Sequence, residues 1–176
     1  NPFIFYNNNF YSSLDLSGNI LSIQKVFSAC DINKQEKLII LLPNGIDIIE
    51  LILACFESGV IAVPISTKYT DSELVKIIKM INPKSIITNW EFSHRVNNFG
   101  IDVIAIEEFL SISKVCQKFN PINKIKKNDV AAIILTSGTT DIPKAVQLTY
   151  SNFEASCKNW NSFLRFKNQD QFLCCL

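Results

Sequence analysis

The sequence predicts an α/β fold in which a mostly parallel sheet is flanked by helices. From Lys37 onward, short apolar runs alternate with segments of ten or more residues that have helical periodicity. Several apolar runs are continuous rather than alternating, which is typical of strands buried on both faces of a sheet. Strands that alternate with such helices favour a parallel sheet, and 176 residues suffice for one domain with a substantial core.

The composition excludes several classes of protein. Hydrophobic residues make up 48% and charged residues 19% of the chain, as in a globular protein. The 17 basic and 16 acidic residues are spread along the chain, so no nucleic-acid surface is predicted. The sequence contains no run of about 18 apolar residues, the length that could span a membrane, and no signal peptide is recognisable. We expect a protein of a soluble compartment, either the cytoplasm or the plastid stroma.

The cysteines and the single histidine do not predict a metal site. His94 has no neighbouring ligand, and no CxxC pair occurs among the six cysteines. Two of these, Cys55 and Cys157, fall on apolar helical faces, where a free thiol behaves as a small hydrophobe. We therefore predict reduced, mostly buried thiols at positions 30, 55, 116, 157, 174 and 175.

The first strand and helix of the pattern follow Lys37. Residues 38–42 are a continuous apolar run that ends at Pro43 and predicts a buried strand. Asn44 is predicted to begin the next helix, and Asp47, three residues later, is placed to accept from the free amides of its first turn. Gly59 is predicted to end this helix in a left-handed cap.

One stripe of that helix carries three carboxylates. Asp47, Glu50 and Glu57 recur at helical spacing, and apolar residues cover the rest of the circumference. The sequence predicts a solvated stripe here and not a catalytic pair of carboxylates.

A second strand and helix are predicted next, followed by two short strands. Residues 60–65 predict a strand that Pro64 interrupts, and Thr70 with Glu73 forms the capping box of a helix. Residues 85–88 and 101–106 predict the two short strands. The buried face of the capped helix is predicted to comprise Leu74, Ile77, Ile78 and Ile81.

Residues 130–135 predict the clearest strand of the chain. A polar loop, a short strand at 145–148 and a helix beginning near Ser151 follow it, with Ser151 and Glu154 as a second capping box. Helical spacing predicts a core face in this last helix, formed by Phe153, Cys157, Trp160 and Leu164.

Two segments have weak patterns. Residues 1–34 contain an asparagine run, which predicts a loop, followed by a helix near residues 20–29. Residues 112–128 predict a connection whose lysines belong to a solvated linker.

The polar loop at residues 136–144, TSGTTDIPK, carries the candidate chemistry. Phosphate oxygens are bound by backbone amides, small hydroxyls and a cation on an open loop, and this loop contains all three. It is not a Walker A loop, because Lys144 leads into a strand rather than a helix. On composition alone the alternative is an ordinary polar turn, since Ser, Thr, Gly and Pro are common turn residues.

The order of residues in this loop closely resembles a family signature. Residues 135–146, LTSGTTDIPKAV, resemble the pattern S/T-S-G-S/T-T-G-x-P-K-G/A-V of acyl- and aryl-CoA synthetases, peptide-synthetase adenylation domains and luciferases. Residues 37–65 resemble the strand–LPN–helix–GAVAVPL segment of that superfamily. Residues 131–156 resemble its core strand, loop and following helix, so the resemblance covers most of the chain from Lys37 onward.

The resemblance implies an ATP-dependent activation of a carboxylic acid. In the family, the carboxylate attacks the α-phosphate of ATP to form an acyl-adenylate and pyrophosphate, and a thiol, usually coenzyme A, then takes the acyl group. The loop of the family holds the β- and γ-phosphates and helps to orient Mg²⁺, and the lysine neutralises phosphate charge. Carried over by position, the phosphate-binding residues are Thr136, Ser137, Gly138, Thr139, Thr140 and Lys144.

One position departs from the family pattern. Asp141 stands where the family usually has glycine. Aspartate is among the less costly non-glycine residues at a positive φ, but its carboxylate repels phosphates unless Mg²⁺ lies between them. The sequence therefore predicts a loop that closes but binds ATP more weakly than a loop with glycine there.

Within the superfamily, residues 144–156 (KAVQLTYSNFEAS) are most similar to 2-succinylbenzoate–CoA ligases of menaquinone and phylloquinone synthesis. Those enzymes often carry KAV and a T-F/Y-x-N helix start. The alternatives are another fatty-acyl, aryl or aminoacyl adenylating enzyme, and a non-catalytic truncated homologue.

The resemblance also implies that residues 1–176 are an incomplete N-terminal subdomain of an AMP-binding domain. The adenine- and ribose-binding motifs of the family and its C-terminal lysine have no match here. We therefore predict no catalytic residue within this chain and no adenylation by the chain alone. The implied partners are a small carboxylic acid, ATP, Mg²⁺ and coenzyme A.

Overall fold

The computed structural model describes residues 2–115, 124–136, 143–167 and 169–172. The strands are β1 (Pro2–Tyr6), β2 (Asn9–Ser12), β3 (Lys37–Leu41), β4 (Ile61–Pro64), β5 (Ser85–Thr88), β6 (Asp102–Ala105), β7 (Val130–Thr136) and β8 (Lys144–Thr149). The helices are α1 (Ser13–Ala29), α2 (Ile46–Ser58), α3 (Asp71–Ile81), α4 (Trp90–Ser93), α5 (Phe109–Val115) and α6 (Tyr150–Leu164).

Six of these strands form one sheet in the order β6-β5-β3-β4-β7-β8. The pairs from β6 to β7 are parallel, and β8 pairs antiparallel with β7 at the end of the sheet. The predicted α/β fold with a mostly parallel sheet is confirmed. We call the side of the sheet where the five parallel strands end the carboxyl edge, because ligands of open α/β sheets bind at such an edge.

The core lies on both faces of the sheet, and β3 runs through its centre. Leu38 and Ile40 belong to a cluster with buried residues of α1 and α2, whereas Ile39 and Leu41 belong to a cluster with α3. All four side chains are fully buried. This explains the continuous apolar run, because a central strand covered on both faces needs an apolar residue at every position.

The predictions for α2 and α3 are confirmed in part. Thr70 and Glu73 form the capping box of α3, and the four predicted face residues are buried. Gly59 ends α2 with φ 66°. The predicted cap by Asn44 is wrong, because Gly45 occupies the N-cap position and no side chain bonds to the first turn.

The prediction of a loop at the asparagine run is confirmed for Asn7 and Asn8, which form a turn, whereas the strands on either side were not predicted. Strands β1 and β2 form an antiparallel hairpin, and Asn7 and Asn8 lie between them with φ values of 48° and 62°. Asparagine tolerates this left-handed conformation, which the favoured two-residue hairpin turns require. Helix α1 then begins earlier than predicted, behind a capping box of Ser12 and Asp15.

The last helix departs from its predicted packing. Its capping box is formed by Thr149 and Asn152, not by Ser151 and Glu154. Phe153 packs against Phe56 with ring centroids 5.0 Å apart, but Trp160 is 59% exposed. The predicted core face is therefore wrong for the rest of α6, because residues 155–164 are all exposed.

The thiol and connection predictions have mixed outcomes. Cys55 is buried, Cys30 is half-buried and Cys157 is exposed, so the predicted burial of Cys157 is wrong; the other three cysteines lie outside the described residues. His94 is exposed. Part of the predicted connection is α5, while residues 116–123 are not described.

No helix in the described ranges is long and apolar enough to cross a membrane.

Candidate phosphate-binding site

The two ends of the polar loop meet at the mouth of a hairpin. Thr136, the last residue of β7, is the register partner of Lys144, the first residue of β8. The Thr136 hydroxyl donates to the Lys144 carbonyl oxygen, with 3.4 Å between the two oxygens. Both residues are exposed at the carboxyl edge. The prediction that Lys144 leads into a strand is confirmed.

The middle of the loop lies outside the described residues. The structure does not describe residues 137–142, which include four of the predicted phosphate-binding residues and Asp141. The predictions for Ser137, Gly138, Thr139, Thr140 and Asp141 therefore stay predictions.

Strand β7 provides a fixed base for the loop. It pairs with β4 on one side, through Ala62 and Ala132, and with β8 on the other. Ala131, Ala132 and Ile133 are buried within the sheet. Because β7 is bonded on both sides and packed on both faces, its carboxyl end is held in place where the loop begins.

The opposite end of the hairpin is held by side chains from the first half of the chain. The Gln35 amide donates to the Val130 carbonyl oxygen at 3.0 Å and accepts from the Val130 backbone amide at 3.1 Å. Tyr150 donates its hydroxyl to the Phe56 carbonyl oxygen at 2.7 Å, and burial raises the pKa of Tyr150 to about 12. These contacts join the hairpin to α2 and to the turn that precedes β3, independently of the loop.

A buried carboxylate near the carboxyl edge was missed by the sequence reasoning. Glu50 is 6% exposed, and the Asn19 amide on α1 donates to its Oε1 at 2.8 Å. Burial raises the pKa of the Glu50 carboxyl, and the charge of Asp47 adds to this. Glu50 lines a cavity of about 240 Å³ between α1, α2 and α5. The prediction of a solvated stripe is wrong for Glu50, whereas Asp47 and Glu57 are exposed.

We expect Glu50→Gln to change the free energy of unfolding in a pH-dependent way. The difference between variant and wild type should be more favourable to the variant at pH 8 than at pH 4. A pKa raised in the folded state means that folding favours the protonated carboxyl, so stability is lost as the pH rises through that pKa. Glutamine does not ionise and escapes this loss. Urea unfolding at several pH values measures the effect. The control, Glu57→Gln, alters an exposed carboxylate on the same helix; an equal pH-dependent gain in both variants would contradict the assignment.

The described residues contain no ready-made metal site. No group of three or more His, Cys, Asp or Glu side chains within these ranges could hold a metal ion.

The fold and the hairpin together define an α/β protein with a candidate phosphate loop at the carboxyl edge of its sheet. The sequence pattern of the family described as AMP-binding enzyme matches residues 6–176. The chain belongs to the AMP-binding enzyme family.

Curated relatives include CoA ligases of two kinds. The 4-coumarate:CoA ligase 1 of Petunia hybrida is 27% identical over 97% of this chain and 34% of its own length. The 2-succinylbenzoate–CoA ligase of Oceanobacillus iheyensis is 30% identical over 78% of this chain and 28% of its own length. The chain thus spans about a third of the length of the curated relatives it matches.

Solved structures share the fold. The o-succinylbenzoate CoA synthetase of Bacillus subtilis, in complex with AMP, matches with a TM-score of 0.85 at 23% identity, over 94% of this chain and 43% of that one. VinN in complex with 3-methylaspartate matches with a TM-score of 0.83 at 18% identity, over 93% of this chain and 47% of that one. At these identities the likeness shows the fold alone, which agrees with the predicted N-terminal portion of an adenylate-forming domain.

Proposed function

We propose that this chain is the N-terminal part of an enzyme that activates a carboxylic acid with ATP and transfers the acyl group to coenzyme A. The favoured acid is 2-succinylbenzoate. The observation that carries the proposal is the meeting of Thr136 and Lys144 at the carboxyl edge, in a chain of the AMP-binding enzyme family.

The proposed reaction has two steps. A carboxylate oxygen attacks the α-phosphorus of ATP, the bond to the bridging oxygen of the β-phosphate breaks, and pyrophosphate leaves. The sulfur of coenzyme A then attacks the acyl carbon, and AMP leaves with the electrons of the broken C–O bond. The polyphosphate gains negative charge as pyrophosphate departs, so a fixed cation beside it lowers the barrier.

The residues at the hairpin suit the first step. Thr136 supplies a hydroxyl and Lys144 an ammonium group, both exposed to solvent at the end of a packed strand. We propose that Ser137, Gly138, Thr139 and Thr140 complete the set of donors to the β- and γ-phosphates. Mg²⁺ would be held mainly by phosphate oxygens, with hydroxyls of the loop beside it.

A second candidate substrate is another aryl acid, 4-coumarate. Relatives described as 4-coumarate–CoA ligases and as 2-succinylbenzoate–CoA ligases match this chain at similar identity, 27% and 30% in the two cases above. The preference for 2-succinylbenzoate rests on the similarity of residues 144–156 to ligases of that kind.

The substrate is tested by incubating the complete polypeptide that contains this chain with ATP, Mg²⁺, coenzyme A and one acid at a time. The acids are 2-succinylbenzoate, 4-coumarate, a fatty acid and an amino acid, and the thioester is detected by mass spectrometry. We expect the 2-succinylbenzoyl thioester to form fastest. Faster turnover of another acid would keep the reaction and discard this substrate. Residues 1–176 alone serve as the control, and we expect no thioester from them.

A further inference from the structure

The turn that follows β4 lies beside the end of β7. Strands β4 and β7 are parallel neighbours, and Ala62 is paired with Ala132. The backbone stays in the sheet as far as Ile65, whose amide donates to the Ile40 carbonyl oxygen at 3.0 Å. β4 ends at Pro64 and β7 at Thr136, and because the two strands are parallel, both end at the carboxyl edge of the sheet. The turn at residues 66–70 therefore leaves the sheet at the edge where the β7–β8 hairpin opens, and its strand is the neighbour of β7, about 4.8 Å away.

Arg95 holds this turn from the segment that follows α4. Its guanidinium donates to the Thr67 carbonyl oxygen at 2.9 Å and to the Tyr69 carbonyl oxygen. Its Nε also pairs with the Asp71 carboxylate at 2.7 Å, and the Arg95 side chain is only 14% exposed. The two carbonyls are those on either side of Lys68, so Arg95 fixes the backbone from which Lys68 projects. A planar guanidinium with several fixed donors suits this task better than an ammonium group.

Lys68 is exposed on this turn, and its backbone amide donates to the Ser66 hydroxyl oxygen at 3.2 Å. No carboxylate of the described residues forms an ion pair with it. Lys68 follows β4 and Lys144 begins β8, the two strands that flank β7, so both positive charges lie at the carboxyl edge of the sheet. A polyphosphate carries several negative charges, and two cations at one edge attract it more strongly than one.

We propose that Lys68 is a second cationic contact for the polyphosphate of ATP and that Arg95 is the positioning residue that holds it there. The inference rests on the proposed function and extends its site from β7 and β8 to β4.

The test is steady-state pyrophosphate–ATP exchange by the complete polypeptide with its best acid. In Lys68→Gln we expect the KM for pyrophosphate and for ATP to rise about threefold to tenfold, with kcat within twofold of the wild type. The rise should shrink as salt is added, because the contact is electrostatic and exposed. Lys79→Gln is the matched control: it removes the same charge at the last turn of α3, at the other edge of the sheet, and should leave KM unchanged.

Arg95→Lys tests the positioning role. Lysine keeps the charge but has one nitrogen in place of the three that Arg95 uses for its three acceptors. We therefore expect the same rise in KM as in Lys68→Gln and no further rise in the double variant. An unchanged KM in Lys68→Gln would overturn the proposal, and an unchanged KM or a lower kcat in Arg95→Lys would overturn the role of Arg95. Absence of exchange in the wild type is a different result, because it would overturn the proposed function itself.

Discussion

Lys144→Ala is expected to slow carboxylate-dependent pyrophosphate–ATP exchange by about 10²–10³-fold, the scale found when one fixed group that stabilises developing charge is removed. Lys144 is the first residue of β8 and is joined to Thr136 by the hairpin register. Its ammonium group is therefore carried by a paired strand rather than by the loop itself. Since that charge would stabilise the departing pyrophosphate, its loss should lower kcat as well as raise KM.

The controls separate this electrostatic role from a structural one. Lys144 is exposed, so the variant should unfold at the same urea concentration as the wild type. Lys144→Arg should retain more activity than Lys144→Ala, because it keeps the charge with an altered geometry. Lys79→Ala, on α3, should have wild-type rates. A Lys144→Ala variant with more than about half of the wild-type rate would exclude Lys144 from the phosphate site.

Ile40→Ala is expected to lower the free energy of unfolding by about 2–5 kcal/mol. Ile40 is fully buried in β3, the strand between β5 and β4, and packs against the cluster formed with α1 and α2. Its truncation removes buried methyl groups and leaves a cavity that strands bonded on both sides cannot easily close. Urea unfolding followed by circular dichroism measures the change.

Ile49→Ala is the matched control for this prediction. Ile49 is 38% exposed on α2, and alanine is a better helix former than isoleucine, so the change should stay within about 0.5 kcal/mol. Equal effects of the two substitutions would contradict the assignment of β3 to the centre of the core.

The elements that the sequence predicted well are those with local causes. The continuous run at residues 38–42 and the capping box at Thr70 predicted β3 and α3 closely, because burial on both faces and capping leave direct traces in the residue order. The sequence also contained a signal for the turn of the N-terminal hairpin, but the hairpin was not predicted from it. Three consecutive asparagines lie between Tyr6 and Phe10, and the first two match the two-residue turn that joins β1 and β2.

The features that the sequence did not predict depend on residues far apart in the chain. Glu50 falls on a polar stripe of α2, and only the packing of α1, with Asn19 as donor, makes it buried. Trp160 has core-like spacing, but spacing does not say whether an element covers that face.

The candidate site also has one part that was predicted from the sequence and one part that was not. Family resemblance predicted the loop, and the structure brings its two ends, Thr136 and Lys144, together. The turn at Lys68 was missed, because its position depends on the pairing of β4 with β7 and on Arg95, 27 positions later in the sequence. No periodicity in the sequence signals either contact.

The most direct test of the proposed adenylating activity is pyrophosphate–ATP exchange by the complete polypeptide. Radiolabelled pyrophosphate, ATP and Mg²⁺ are incubated with and without 2-succinylbenzoate, and the label in ATP is counted. We predict that label enters ATP only when an acid is present, because reversal of acyl-adenylate formation is the only route between the two pools. A folded protein that transfers no label with any acid of the panel would contradict adenylate formation and leave the non-catalytic homologue as the explanation of this chain.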